Sequence, residues 1–264
     1  MRIQFSLSCQ KGTIIPINYQ SEISSWIFNV LANAGAELSA HVQKMGFDLS
    51  ARSFKQFTFS PLAIYPYEMD QARQEFRLLG NQVKLSISIY LERGFEQQVV
   101  HLFRQTPLEL GTLDGNQAIF EVKHWQILPS ANLSEQMQFK AFSPISITTV
   151  EEGKTGNLYI LPDSEFYDVS FFHHLVRRFK AAKDYKSLAQ LKLLDPSFPM
   201  EFKLLGPSKS RLIHLKPNAE SIQQLRGFTY EFEVNMPIHL MEYAYYSGFG
   251  EFPFLGFGFV EIKQ

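Results

Sequence analysis

Four glycines near the C-terminus have a spacing that can shape a ligand-binding loop. They form two Gly-Phe-Gly units, Gly248/Gly250 and Gly256/Gly258, separated by five residues. Glycine permits positive φ and close backbone approach, so such a loop can turn its N–H groups toward an anion such as phosphate. The alternative is a pair of tight turns that join aromatic-rich strands, because a glycine-rich segment alone is weak evidence.

A second candidate for phosphate binding is the basic segment from His173 to Lys216. It carries ten Lys or Arg against three Asp or Glu, although the whole chain has a net charge of −1. Arg177, Arg178 and Lys180 lie together on a predicted helix within it. A basic patch on a nearly neutral protein is typical of surfaces that hold phosphates. The alternative is a solvated lysine-rich helix.

Other chemistry has little support in the sequence. His173 and His174 are adjacent, so on a helix their side chains diverge by about 100° and do not chelate one metal. The chain has one cysteine, Cys9. A single cysteine allows no intrachain disulfide and favours a reducing, cytoplasmic setting. No apolar run approaches the ~18 residues that span a bilayer, and the N-terminus has no signal-peptide pattern. We therefore expect no metal, no cofactor and no membrane.

The elements that would position these residues follow a β-α-β-β-α-β order in the first half. A strand with alternating hydrophobicity comes first, and a helix capped by Ser21 follows it. Gly80-Asn81 is typical of a hairpin turn. The predicted elements are Arg2–Ser8, a helix from Ser21 through Leu31, a helical piece Ala36–Met45 that ends at Gly46, a strand Lys55–Tyr65, the hairpin strands Glu75–Leu79 and Val83–Tyr90, a helix Phe95–Gln105 and a strand Ile119–Leu128.

The second half repeats this order, and a polar stretch at 129–136 separates the two halves. Its predicted elements are the strand Gln138–Val150 with Tyr159–Leu161 as a partner, a helix from Glu165 to about Tyr185, the strands Met200–Leu205, Arg211–Lys216 and Phe228–Val234, a short helix Ile238–Tyr246 after Pro237, and the strand Phe257–Ile262. The order predicts an α+β protein of two tandem ferredoxin-like (RRM-like) domains, residues 1–130 and 137–264.

Taken together, these features resemble the CRISPR-associated endoribonucleases that cut the repeat RNA of precursor CRISPR transcripts, a family of the RAMP superfamily. Four segments spread along the chain carry the resemblance, and the glycine-rich segment is the most specific. They are Ile15-Pro-Ile-Asn-Tyr19 with Ser24-Ser-Trp-Ile-Phe28, Lys55-Gln-Phe-Thr-Phe-Ser60, Phe142-Ser-Pro-Ile145, and Gly248-Phe-Gly-Glu251 with Leu255-Gly-Phe-Gly-Phe259.

The resemblance implies that the protein binds CRISPR repeat RNA and cleaves it without metal. A 2′-hydroxyl would attack the adjacent phosphate, leaving a 2′,3′-cyclic phosphate and a 5′-hydroxyl, and DNA would not be cut because it lacks that hydroxyl. This chemistry needs a base, an acid and a cation near the phosphorane. Other CRISPR-associated proteins are further candidate partners, and the protein is expected to be a monomer or a homodimer.

The resemblance also assigns roles to individual residues. Lys55 matches the family's catalytic lysine and would stabilise the transition state. Gln43 occupies the position of the family's histidine, and glutamine cannot exchange a proton near neutral pH. His41 is therefore the displaced catalytic candidate, although two helical residues turn a side chain by about 200°. Phe28 replaces a common tyrosine.

The loop also departs from the family, because Glu251-Phe-Pro-Phe254 stands where polar residues are usual. We expect backbone N–H groups of the four glycines to meet phosphates, and Phe252 or Phe254 either to stack on a base or to pack in the core. Arg177, Arg178 and Lys180 are candidates for contacts with the RNA backbone. Three functions stay open: a repeat-specific endoribonuclease, a catalytically weakened repeat-RNA-binding protein, and ferredoxin-like domains without an RNA role.

Overall fold

The structure is a computed structural model that describes residues 1–45, 47–49, 53–92, 94–111, 115, 117–150, 157–182, 199–218 and 221–263. Gly46, the predicted stop of the second helix, lies outside these residues, and so does the predicted end of the basic helix beyond Ala182. Within the described part of the chain, no helix has the length and apolar character needed to cross a membrane.

The first domain contains a five-stranded antiparallel sheet. Its strands are β1 (Arg2–Ser8), β3 (Phe57–Phe59), β6 (Gln82–Ile89), β7 (Leu108–Gly111) and β8 (Gln117–Ile127), in the order β3-β6-β1-β8-β7. Without β7, that order is the ferredoxin-like arrangement. Helices α1 (Gln20–Ala32) and α3 (Glu96–Gln105) meet over the sheet, where the ring of Phe103 lies 4.8 Å from Trp26 and 5.1 Å from Phe5. A short helix α2 (Ala36–Lys44) follows α1.

The predicted hairpin around Gly80-Asn81 is wrong. The strand before the turn, β5 (Glu75–Leu78), pairs with β2 (Ile14–Pro16) and β4 (Tyr67–Asp70) in a separate three-stranded sheet. The strand after the turn, β6, pairs instead with β1 and β3. The turn thus joins two sheets. Alternation along a strand indicates its buried face but not its neighbour, which explains the error.

The second domain contains a four-stranded antiparallel sheet with the same topology. Its strands are β9 (Gln136–Ala141), β12 (Glu201–Leu204), β15 (Glu231–Asn235) and β16 (Val260–Ile262), in the order β12-β15-β9-β16. Its helices are α4 (Tyr167–Ala182) and α5 (Ile238–Ser247). Two hairpins complete it: β10 (Thr148–Val150) with β11 (Asn157–Tyr159), and β13 (Lys209–Asn218) with β14 (Ser221–Thr229). The prediction of two tandem ferredoxin-like domains is confirmed.

The start of α1 differs from the one that the local sequence predicts. α1 begins at Gln20 after Tyr19, and no side chain caps it, so the predicted Ser21 cap is wrong. The hydroxyl of buried Tyr19 accepts a hydrogen bond from the backbone N–H of Leu62, so tertiary packing fixes this start. The predicted inward residues of α1 are all buried: Ile23, Trp26, Ile27, Val30 and Leu31.

Each domain has its own hydrophobic core. The first core is built from buried residues between Ile3 and Phe120, and the second from buried residues between Phe139 and Val260. Phe254, from the C-terminal half of the chain, packs against the first core. The predicted boundaries, 1–130 and 137–264, stay a prediction. The packing of Phe254 on the first core marks a place where the two domains meet.

Candidate nucleic-acid interface

The glycine-rich loop, residues 248–258, runs from the end of α5 toward β16 and lies where the two domains meet. All four glycines have positive φ, from 69° to 90°. A Cβ on Gly248 would lie 2.9 Å from Cβ of Thr58, and one on Gly256 would lie 2.5 Å from the ring of Phe59. Both contacts are with β3 of the first domain. The contact of β3 with the loop and α5 is called the domain seam below.

The other two glycines approach the second domain. A Cβ on Gly250 would lie 2.7 Å from the carbonyl oxygen of Ser146, and one on Gly258 would lie 1.9 Å from that of Phe249. The loop therefore needs glycine for close packing on both of its sides. This reason differs from the phosphate contact that the sequence suggested.

The N–H groups of three of the four glycines donate to acceptors inside the protein, and phosphate contact by the loop stays a prediction. The N–H of Gly248 donates to Ala244 O at 2.9 Å, that of Gly256 to Pro253 O at 2.8 Å, and that of Gly258 to Pro144 O at 2.8 Å. All four glycines are buried. Buried backbone N–H groups must find partners, and here three of them bond within the chain. Direct phosphate contact through those three groups is therefore not available in this structure.

Arg178, for which an RNA contact was predicted, contacts the loop, and its contact with RNA stays a prediction. Its guanidinium donates to the carbonyl oxygens of Gly248 at 2.8 Å and Gly250 at 2.9 Å, and to the carbonyl and hydroxyl oxygens of Ser247, both at 3.1 Å. Burial lowers the pKa of this guanidinium. Arg178 thus supports the loop from within. On the same helix, Arg177 and Lys180 are exposed to solvent.

Lys55 lies at the surface of the domain seam. Its Nζ atom is 4.7 Å from the ring centroid of Phe254, a distance at which a cation is attracted to an aromatic face. The ring of Phe254 lies 6.3 Å from that of Phe28, so the residue that replaces the family's tyrosine belongs to the same cluster. Phe254 itself sits in a short 3-10 helix, Pro253–Leu255, which packs on β3 and α1.

Neighbouring residues of Lys55 join β3 to the second domain. The Thr58 hydroxyl donates to the carbonyl oxygen of Phe257 at 2.7 Å, and the Tyr243 hydroxyl donates to Oε1 of Gln56. Both contacts are buried. They hold the start of β3, and therefore Lys55, against the loop.

Arg2 is a buried cation at the contact between the domains. Its guanidinium donates to Ser88 Oγ at 3.2 Å and to Tyr245 O at 3.0 Å, and it lies 3.6 Å from the ring centroid of Tyr245. Burial lowers the pKa of Arg2 to about 10. Because Arg2 belongs to β1 and Tyr245 to α5, this contact ties the two domains together.

The structure places His41 against the start of α3. Its ring lies 4.8 Å from that of Phe95, and its Nδ1 atom is 3.7 Å from Oε2 of Glu92. The Nε2 atom is buried and has no hydrogen-bond partner among the described residues. Gln43 is exposed on the same helix. The two positions therefore face different surroundings, as the helical rotation between them predicts.

Sequence reasoning missed a buried polar pair beside Arg178. His174 is only 7% exposed, and its Nδ1 atom lies 3.1 Å from Oε1 of Glu251 in the loop. His174 and Arg178 are four residues apart, so both lie on the inner face of α4 with Phe171 and Leu175. That spacing was the available signal, because it places two polar side chains on an apolar stripe.

The two tandem ferredoxin-like domains, with the glycine-rich loop packed where they meet, form a fold that is known from solved structures. Solved structures of this kind are similar to the chain over its whole length. The product of a Cas6-related gene from Pyrococcus furiosus matches with a TM-score of 0.77 at 22% identity, over 100% of this chain and 98% of that one. A RAMP protein that binds different RNA substrates matches with a TM-score of 0.75 at 19% identity, over 100% of both chains. These likenesses support the fold.

Sequence comparison defines the family. The family described as CRISPR associated protein Cas6, C-terminal, matches residues 128–262, which is half of the chain. The CRISPR-associated endoribonuclease Cas6 1 of Methanocaldococcus jannaschii is 26% identical over 263 residues, covering 98% of this chain and 92% of that protein. The chain belongs to the Cas6 family.

Proposed function

We propose that the protein binds CRISPR repeat RNA at the domain seam and cleaves it by attack of a 2′-hydroxyl on the adjacent phosphate. The observation that carries this proposal is Lys55, a surface cation held beside the glycine-rich loop. Family membership supports the substrate class, and the named relative from M. jannaschii is an endoribonuclease.

Lys55 would stabilise the charge that develops on the phosphorane. Lys55 is exposed two residues before β3, and its ammonium lies 4.7 Å from the ring centroid of Phe254. Fixed charges near a developing oxyanion lower the barrier because they need no reorganisation during the reaction. Phe254 is half-buried against the first core, so in this proposal it positions the Lys55 ammonium rather than stacking on a base.

His41 would transfer a proton in this reaction, and its surroundings predict slow cutting. Its side chain is 15% exposed, and the Phe95 ring lies beside it. The ring must turn away from Phe95 before Nε2 reaches an RNA hydroxyl. Since the imidazole is the group suited to proton transfer near neutral pH, this rearrangement limits the rate.

Arg177 and Lys180 would bind the RNA backbone at positions distant from the cleavage point. Both are exposed on α4, with 62% of the Arg177 side chain accessible. Contacts of this kind carry no sequence information, and salt weakens them. The glycines and Arg178 shape the loop in this account, and they contact one another rather than RNA.

The second candidate function is binding of repeat RNA without efficient cleavage. The covered Nε2 atom of His41 and the exposed Gln43 at the family's histidine position favour it. The protein and its host's repeat RNA, incubated with EDTA, separate the two functions. Cleavage should give 2′,3′-cyclic phosphate and 5′-hydroxyl ends. Tight binding with intact RNA would favour the second function, and 3′-hydroxyl ends or a need for metal would refute the mechanism.

A further inference from the structure

A buried imidazole in α4 has a hydrogen-bond acceptor at each ring nitrogen. Nε2 of His174 lies 2.9 Å from the carbonyl oxygen of Thr148, and Nδ1 lies 3.1 Å from Oε1 of Glu251. A neutral imidazole has one N–H and donates to one of these oxygens, whereas an imidazolium donates to both. The bond from Nδ1 to the Glu251 carboxylate therefore forms together with the Nε2 bond to Thr148 only in the imidazolium.

Charged groups around this imidazole come from α4 and from the loop. Arg177 lies 3.2 Å from Nδ1 of His174 and 3.8 Å from Oε1 of Glu251, and the ring of His173 lies 5.7 Å from that of His174. Arg178 also faces the Glu251 carboxylate. With a neutral His174 accepting from Arg177, the Glu251 carboxylate would face a lone pair at Nδ1. Protonation of Nδ1 turns that contact into a charge-assisted hydrogen bond.

These contacts fix one end of the glycine-rich loop. Glu251 is 12% exposed, and its backbone N–H donates to Ser146 O at 2.8 Å, so its side chain and its backbone are both bound. Arg178 binds the carbonyl oxygens just before it, at Gly248 and Gly250. Residues 247–251 are thus held by two side chains of α4, one a permanent cation and one that titrates.

We propose that Arg178 and His174 are positioning residues that hold residues 247–251 so that Phe254 meets Lys55, and that this hold is complete only when His174 is an imidazolium. Neither residue touches RNA in this arrangement. The inference rests on the proposed function, because the site that it positions is the one at Lys55. When His174 is neutral, its Nδ1 atom accepts from Arg177 and no longer donates to Glu251, so the charge-assisted hydrogen bond to the loop is lost. The loop then loosens at higher pH, and repeat RNA binds less tightly.

The hold of Arg178 and His174 on residues 247–251 is called the clamp below. It is tested first without RNA. In the full-length protein with 15N-labelled histidines, NMR at about pH 5.5 should show both ring nitrogens of His174 protonated. The variant H174Q assigns the signal, and H173Q, its exposed neighbour, is the matched control. Amide exchange of residues 247–251 should be about 10- to 100-fold faster in H174Q and in R178K, the range for a lost hydrogen bond to a charged group. A single protonated nitrogen, or unchanged exchange in both variants, overturns the clamp.

The positioning role is tested with repeat RNA that carries a 2′-deoxy nucleotide at the cut site. Wild-type affinity should fall severalfold between about pH 5.5 and about pH 8. The variant E251Q should lose this dependence, because its amide can donate to a neutral Nδ1 or accept from a protonated one. An equal pH dependence in E251Q overturns the positioning role. If the wild type binds no repeat RNA at either pH, the proposed function fails, while the NMR and exchange data still decide the clamp.

Discussion

Two cations approach the glycine-rich loop from opposite sides, and their surroundings differ. Lys55, at the start of β3, is exposed, and its ammonium lies over the ring of Phe254. Arg178, on the inner face of α4, is half-buried and donates to three carbonyl oxygens and one hydroxyl of the chain. An exposed cation with free donors is available to a ligand, whereas a half-buried one whose donors are occupied by the chain shapes the protein. We therefore assign a catalytic role to Lys55 and a structural role to Arg178.

The largest effect is expected from K55A. Loss of a group that stabilises the transition state lowers rates by roughly 100- to 1000-fold. Single-turnover cleavage of repeat RNA measures it, and the melting temperature should hardly change because the side chain is exposed. The control is K123A, which removes an exposed lysine paired with Glu121 on β8. Equal rates in K55A and wild type would remove Lys55 from the mechanism.

In contrast to K55A, R178M is expected to lower the stability of the protein. The apolar chain fills similar space but leaves loop carbonyls without their donors, so the free energy of unfolding should fall by about 3 kcal/mol. Chemical denaturation measures this loss. R177M is the matched control, because the Arg177 side chain is 62% exposed and should be nearly neutral. If R178M were as stable as R177M, the structural role assigned to Arg178 would be wrong.

The packing of the loop on β3 is tested by G256A. The new Cβ meets the Phe59 ring at 2.5 Å, and the residue has a φ of 77°. We expect a loss of about 2–3 kcal/mol in unfolding free energy from overpacking and backbone strain. G12A isolates the strain, because Gly12 has a φ of 86° and nothing within 4 Å of its Cβ. Equal losses in the two variants would show that the loop does not need this close contact.

A smaller effect is expected from T58V at the domain seam. Valine keeps the shape of the side chain but removes the donor to the carbonyl oxygen of Phe257, so stability should fall by about 1 kcal/mol. T149V, at an exposed position of β10, is the matched control for loss of a threonine hydroxyl. No difference between T58V and wild type would mean that this hydrogen bond does not stabilise the seam.

Strongly periodic segments were predictable from sequence. The bounds of β1 matched, the inward face of α1 was read correctly, and α5 was placed within one residue, because each has a clear hydrophobic pattern. The pairing of strands was harder to predict from the sequence. β5 and β6 were both foreseen, but a pattern along the chain does not show which strand lies beside it.

The site was predictable in part for the same reason. The motif around Lys55 and the glycine spacing pointed to the loop, but the occupied N–H groups of Gly248, Gly256 and Gly258 depend on contacts with distant segments. Arg177 and Arg178 are chemically identical neighbours, and the helical rotation of about 100° per residue points one to solvent and the other to the loop. Only the position of the loop shows which of the two arginines contacts it.

The most direct test of the account compares repeat RNA with the same RNA carrying a single 2′-deoxy nucleotide at the cut position, both in EDTA. We predict equal binding of the two RNAs, and cleavage of the all-ribose RNA alone, since the attacking hydroxyl is missing from the other. Cleavage of the deoxy-substituted RNA at that position would contradict 2′-hydroxyl attack, and failure to cut either RNA would contradict a catalytic role for the seam at Lys55.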